Sequence, residues 1–152
     1  MHLSLLSSVP FLRKPSNDVS LYEVTPKTKC STVNDAIVIV KGENTGEVFK
    51  GVDGILTPSV ATIKCTDEKV IIPQYLYYLL KGYEKELRSM AKGATIKSLD
   101  SKSIPNLKCM IPPVEEQLNL VAYLDGIVGK IDEVINILGS TDTVFLPTDR
   151  LL

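Results

Sequence analysis

The sequence predicts a mixed α+β fold: a twisted, mostly antiparallel sheet with packed helices and a long C-terminal helix able to form a coiled coil. Three observations predict it. Short apolar runs separated by Gly, Asn, Asp and Pro follow one another through residues 19–65, the pattern of strands joined by tight turns. After Pro73 the apolar residues recur every three or four positions, which is helical periodicity. From Pro113 a second such segment carries a heptad seam. The 152 residues suit one domain with a sizeable core. We divide them into a domain of residues 1–112, a helix of residues 113–139 and a tail of residues 140–152.

Residues 1–18 yield no regular element, because Pro10, Pro15, Ser16, Asn17 and Asp18 read as loop. Val19 to Val24 alternates apolar and polar residues, as a half-buried strand does, and Pro26 ends it. Ala36-Ile37-Val38-Ile39-Val40 is a continuous β-branched run, predicting a strand buried on both faces. Gly42, Asn44 and Gly46 then permit a tight turn, and Glu47-Val48-Phe49-Lys50 returns as the second strand of a hairpin. Ile55 to Cys65 reads as a longer strand interrupted near Pro58.

Pro73 is suited to the first position of a helix. Leu76, Leu79, Leu80, Tyr83, Leu87 and Met90 give that helix one apolar stripe, weakened but not ended by Gly82. Lys92-Gly93 closes it with a cation and a glycine. Asp100 or Ser101 caps a short turn limited by Pro105 and Asn106, and Leu107 to Ile111 is a short strand. In the last helix, Val121, Leu124, Val128, Ile131, Ile135 and Leu138 are spaced 3, 4, 3, 4 and 3 apart, the spacing of a seam that pairs with a partner helix. The same periodicity also suits a helix packed only on its own domain. Gly126 and Gly129 lower its intrinsic helicity, and Gly139 is expected to end it.

Composition excludes several function classes. No apolar run approaches the ~18 residues of a membrane span. The apolar start, Met1 to Leu6, precedes Arg13 and Lys14, the reverse of a signal peptide, so the expected location is cytoplasmic, with no membrane partner. Cys30, Cys65 and Cys109 are odd in number and far apart, which argues against a disulfide framework. Their apolar surroundings suggest small buried residues. His2 is the only histidine and sits at the terminus, so zinc sites, histidine bases and catalytic triads are not expected.

The net charge of −1 is unevenly spread. Residues 81–108 hold seven basic side chains against three acidic ones, and residues 113–139 hold five acidic against Lys130 alone. A basic contact face beside an acidic, partner-facing element has this form. Two solvated faces that differ in charge have it as well.

Two glycine turns are candidates for binding a phosphate backbone. Lys41, Asn44, Thr45 and Lys50 surround Gly42 and Gly46; Lys92, Thr95, Lys97, Ser98 and Lys102 surround Gly93. Glycine lets backbone N–H groups approach an anion, hydroxyls donate to phosphate oxygens and lysines add salt-dependent attraction. An asparagine can also match adenine in two hydrogen bonds. Neither turn has the GxxxxGK[ST] pattern of a P-loop, and hairpin turns favour Gly, Asn and Thr for geometric reasons alone. Tyr75, Tyr77 and Tyr78 offer rings for base stacking, but a partly buried tyrosine with its hydroxyl outward explains them more simply. Ile111-Pro112-Pro113-Val114 has the prolines of a DNA amino-methyltransferase loop but neither its polar first residue nor its aromatic last one. No catalytic residues are therefore assigned.

Tyr75-Leu76-Tyr77-Tyr78-Leu79-Leu80, Lys92-Gly93-Ala94-Thr95-Ile96-Lys97 and Leu107-Lys108-Cys109-Met110-Ile111-Pro112-Pro113-Val114-Glu115-Glu116-Gln117 occur in that order. With Val38 to Gly46 they resemble the target recognition domain of type I restriction–modification specificity subunits, over residues 33–138. The resemblance implies a non-catalytic subunit that reads one half of a bipartite double-stranded DNA target. It implies a long helix that spaces the two halves and docks the DNA methyltransferase subunit, with a restriction and motor subunit joining through the complex. Cofactors are expected only on those partners: S-adenosylmethionine, Mg and ATP. By position Lys41, Asn44, Thr45, Lys50, Lys92, Gly93, Thr95, Lys97 and Ser98 fall on the DNA side, and the seam from Val121 to Leu138 pairs with a second conserved helix. The family's subunits hold two recognition domains and two helices. One of each here implies a half-subunit that homodimerises through its helix, or a fragment of a disrupted subunit. The opening strands expected before Val19 are not recognisable. A different reading is a protein-interaction module that does not bind DNA, whose glycine turns are only hairpins.

Overall fold

The computed structural model describes residues 2–6, 21–23 and 29–141. At its centre lies β4 (Ala36–Ile39), all four residues of which are buried. It pairs antiparallel with β5 (Val48–Lys50) on one side and β7 (Val60–Ile63) on the other, giving a three-stranded sheet. The continuous apolar run is explained by packing on both faces. Ala36 and Val38 face Leu76, Leu80 and Leu87 of the helices, with Leu99 beside them. Ile37 and Ile39 face Leu56 and Val60.

The second sheet has the order β2-β1-β6-β3, formed by β1 (His2–Leu6), β2 (Leu21–Glu23), β3 (Cys30–Ser31) and β6 (Gly54–Leu56). Its β1–β6 pair is parallel, with Leu5 opposite Ile55, while β1–β2 and β3–β6 are antiparallel. The expected mixed, mostly antiparallel architecture is present. In the expected Ile55–Cys65 strand, however, Pro58 makes a break between two sheets. Proline lacks the N–H a ladder needs, and Val60 N–H closes the turn on Thr57 O at 3.2 Å. The strand β1 was not foreseen, and it supplies an opening strand before Val19. The expected loop over Pro10–Asp18, both ends of the Val19–Val24 strand, and residues 142–152 of the tail lie outside the described residues.

Helix α1 (Pro73–Gly82) begins with its proline as predicted, and α2 (Glu84–Met90) continues it after a break at Tyr83. One uninterrupted helix was expected. At the break Tyr83 N–H is shared between Leu79 O and Leu80 O, at 3.2 and 3.1 Å, tightening the turn beside Gly82, the weakest helix former of the segment. Glu84 ties α2 to the sheet, because its Oε1 accepts from Val48 N–H at 2.8 Å. Asp100 caps the 3-10 turn Ser101–Asn106, accepting from Lys102 N–H at 3.0 Å. Leu107–Ile111 forms no ladder among the described residues, contrary to the expected strand.

Helix α3 (Val114–Thr141) has 28 residues, about 42 Å at 1.5 Å per residue. It passes through Gly139, which was expected to stop it. Its first turns are fastened along a stripe of Gln117, Val121 and Asp125, four residues apart. Gln117 is fully buried. Its Oε1 accepts from Ile72 N–H at 2.9 Å, and its Nε2 donates to Val70 O and Pro112 O, both at 2.8 Å. Every residue from Asp125 to Gly139 is exposed, so the distal half projects from the domain.

Candidate nucleic-acid interface

The two glycine turns meet in space. In the first, Gly42 and Gly46 have φ of +115° and +95°, values that L side chains rarely adopt. A Cβ at Gly46 would also lie 2.7 Å from the backbone nitrogen of Arg88, so the turn can pack on α2 only with glycine there. In the second, Gly93 has φ +121°, and a Cβ there would sit 2.2 Å from Ile96 O. Ser98 joins the turns, pairing antiparallel with both Lys41 and Lys92. Lys92 and Ser98 exchange backbone hydrogen bonds of 2.9 and 2.8 Å, while Gly42 N–H donates to Lys97 O at 2.9 Å and Leu99 N–H to Val40 O at 2.8 Å.

That pairing sets the direction of the side chains. Partners across a ladder share a face, and sequence neighbours alternate. Val40, Leu99 and Ala91 pack on the core. Lys41, Ser98 and Lys92 therefore form an outward row, and all three are exposed. Thr95 and Lys97 are exposed at the tip of the second turn. Beside the row lies a cleft of about 790 Å³ lined by Lys92, Ser98, Asp100, Ser101 and Ser103 among others. Cations, hydroxyls and turn backbone thus share one surface, a combination that suits an extended anion. The sequence offers Ser101 only as a helix cap and gives no sign of Ser103, since their nearness to Lys92 depends on the Ser98 bridge.

Two residues leave the predicted set. Thr45 is only 2% exposed. Its hydroxyl donates to Gly42 O at 2.6 Å and lies 3.1 Å from Lys97 O, so it stitches the turns together instead of facing a ligand. Lys50 lies at the far end of the β4–β5 hairpin, in register with Ala36. Its ammonium contacts Asp125 of α3 at 3.2 Å and lies 5.3 Å from the ring centroids of Tyr77 and Tyr78. Lys41, Lys92, Gly93, Thr95, Lys97 and Ser98 remain together. Half-buried Asn44 belongs to the first turn, where its carbonyl accepts from Glu47 N–H at 3.1 Å.

Tyr75 and Tyr78 lie beside the long helix, and Tyr77 packs against the core. The Tyr78 hydroxyl donates to the Asp125 carboxylate. That bond, helped by Lys50, holds the Asp125 carboxyl below its usual range. Burial first, and then the hydrogen bond to Asp125, raise the Tyr78 phenol. Burial also raises Tyr75. All three rings are half-buried, as the simpler explanation has it, but the Tyr78 hydroxyl is turned to Asp125 of α3 and not outward.

The predicted seam divides in two. Val121 is 8% exposed, turned onto its own domain, and Leu124 is half-buried. Val128, Ile131, Ile135 and Leu138 are exposed, as are Ile127 and Val134 beside them. Among the described residues, no cluster of three or more His, Cys, Asp or Glu could hold a metal, and no helix is long and apolar enough to cross a membrane.

Residues 7–137 match the family model described as type I restriction modification DNA specificity domain. The chain is 34% identical over 119 residues to the specificity subunit of type I restriction enzyme MjaVIII from Methanocaldococcus jannaschii, covering 76% of this chain and 28% of that protein. It is 24% identical over 98 residues to the EcoBI specificity subunit from Escherichia coli, covering 64% of this chain and 20% of that one. The chain thus spans less than a third of either relative. The fold is similar to that of an HsdS subunit from Thermoanaerobacter tengcongensis, with a TM-score of 0.68, 20% identity and coverage of 89% of this chain and 32% of that one. It is also similar to a type I restriction–modification S subunit from M. genitalium, with a TM-score of 0.60, 19% identity and coverage of 93% and 36%.

Proposed function

We propose that this chain, which belongs to the type I restriction modification DNA specificity domain family, reads one half of a bipartite duplex target and docks a DNA methyltransferase subunit through α3. The observation that carries the reading is the outward row Lys41–Ser98–Lys92, which makes two distant glycine turns one cationic surface. Such a surface meets phosphates on a groove edge while the turn tips reach the bases. Its role is positional and needs no bond-making group; S-adenosylmethionine, Mg and ATP belong to the partner subunits. The exposed distal half of α3 supports helix-mediated assembly, either with the second helix of a full-length specificity subunit or with a second copy of this chain. A homodimer would present two identical reading faces and favour a palindromic target.

Fluorescence anisotropy with the family's kind of ligand, a duplex, tests the reading. Lys97→Glu weakens binding to all sequences, whereas Asn44→Ala changes base preference more than affinity. Unchanged duplex binding by both variants at low and moderate salt would refute the site. Capture of the methyltransferase subunit without any duplex binding would favour a pure interaction module.

A further inference from the structure

We infer that Ile96 is a specificity-determining side chain that takes the 5-methyl group of a thymine in the major groove. The inference rests on the duplex-binding reading and adds one base contact to it. Within the two turns, Ile96 is the only exposed large apolar side chain, at 58% exposure. It is also held firmly. The Lys92–Ser98 pair closes the turn behind it, Gly42 N–H holds the carbonyl of the next residue, Lys97, and its own carbonyl fills the space where a Gly93 side chain would be. Its sequence neighbours Thr95 and Lys97 are exposed, and the Lys41–Ser98–Lys92 row lies alongside.

A surface of this kind selects a partner with two properties: a dense array of anions, and an apolar group standing beyond them. The major groove has both. Phosphates line its edges, and the thymine methyl is the one apolar group among the base-edge atoms it displays. The minor groove offers no such group.

The test uses the whole chain. A preferred sequence is first selected from a randomised duplex pool, and each thymine is then replaced in turn by deoxyuridine, which removes only the methyl group. At one position the replacement should weaken binding by about fourfold, the ratio expected for one buried methyl. Ile96→Ser should bind the thymine duplex more weakly by a similar or larger factor and be indifferent to deoxyuridine at that position, while Ile96→Val should keep the sensitivity. Ile96 is exposed, so the variants fold. A selected sequence with no deoxyuridine-sensitive position, or equal sensitivity in Ile96→Ser, overturns this inference and leaves duplex binding standing. Failure to select or bind any duplex overturns both.

Discussion

Gln117→Ala should unlatch the long helix, and its cost follows from the three hydrogen bonds of the buried amide. The substitution strands the backbone N–H of Ile72, a residue only 9% exposed at the entrance to α1. A buried group left without its partner costs about 1–3 kcal/mol. The Val70 carbonyl belongs to an exposed residue and can hydrate, while Pro112 O is on a half-buried one. Adding the lost packing of the amide gives a total of roughly 2–4 kcal/mol. At about 2–4 °C per kcal/mol for a domain of this size, the melting temperature falls by on the order of 10 °C. Gln117→Glu keeps the acceptor for Ile72 but loses both donors and buries a charge, so it should cost at least as much. Urea unfolding followed by circular dichroism gives the free energies, and hydrogen exchange should show faster exchange in the first turns of α3. Stability of Gln117→Ala within about 0.5 kcal/mol of the unmodified chain, the range of ordinary surface substitutions, would refute this reasoning.

Replacing both Ile131 and Ile135 by lysine should change stability by no more than about 0.5 kcal/mol, since both are exposed. It should weaken assembly through α3 at least about tenfold, by placing charge in an apolar seam, as sedimentation or titration with the partner would measure. Asp125 has a lowered folded pKa, so its contribution is present above the ordinary carboxylate range and lost as pH falls through the depressed value. Because the pair with Lys50 is half-exposed, that contribution is about 0.2–1 kcal/mol. Asp125→Asn should flatten this acid limb in urea unfolding between pH 2 and 7. Tyr78 has a raised folded pKa, so its contribution is complete below pH ~10 and lost as the phenol finally ionises; ultraviolet titration should show its delayed ionisation, abolished in Tyr78→Phe. Gly93→Ala forces a Cβ against Ile96 O and should cost about 1–3 kcal/mol together with most duplex affinity, read by unfolding and anisotropy.

Local pattern reveals what depends on local physics. The strand at 36–39 was legible because its residues are apolar without alternation, and burial on both faces is what such a run requires. Pro73 marked the start of α1 for the same kind of reason. Pairing across long stretches of chain leaves no local trace. The strand His2–Leu6 exists through a partner about fifty residues away, and Pro58 could be read as an interruption but not as a change of sheet. The interface shows the same division. Gly42 and Gly93 announced two turns, but only the Ser98 bridge makes them one face. A buried threonine and an exposed one look alike in a turn sequence, so Thr45 was placed with the ligand contacts although it holds the turns together. Hairpin geometry separates residues that are near in sequence, so Lys50 lies at the opposite end of the β4–β5 pair from the first turn. Heptad spacing likewise marked the apolar side of α3, but not that Val121 faces home while Ile135 faces outward.

The salt dependence of duplex binding tests the central claim most directly. If Lys41 and Lys92 each neutralise a phosphate, the Lys41→Ala/Lys92→Ala double variant should show a log K against log salt slope shallower by about 1.8, from about 0.9 per phosphate contact. It should keep the fold and the base preference of the unmodified chain. An identical slope in the two proteins would contradict the claim that the joined glycine turns grip the phosphate backbone.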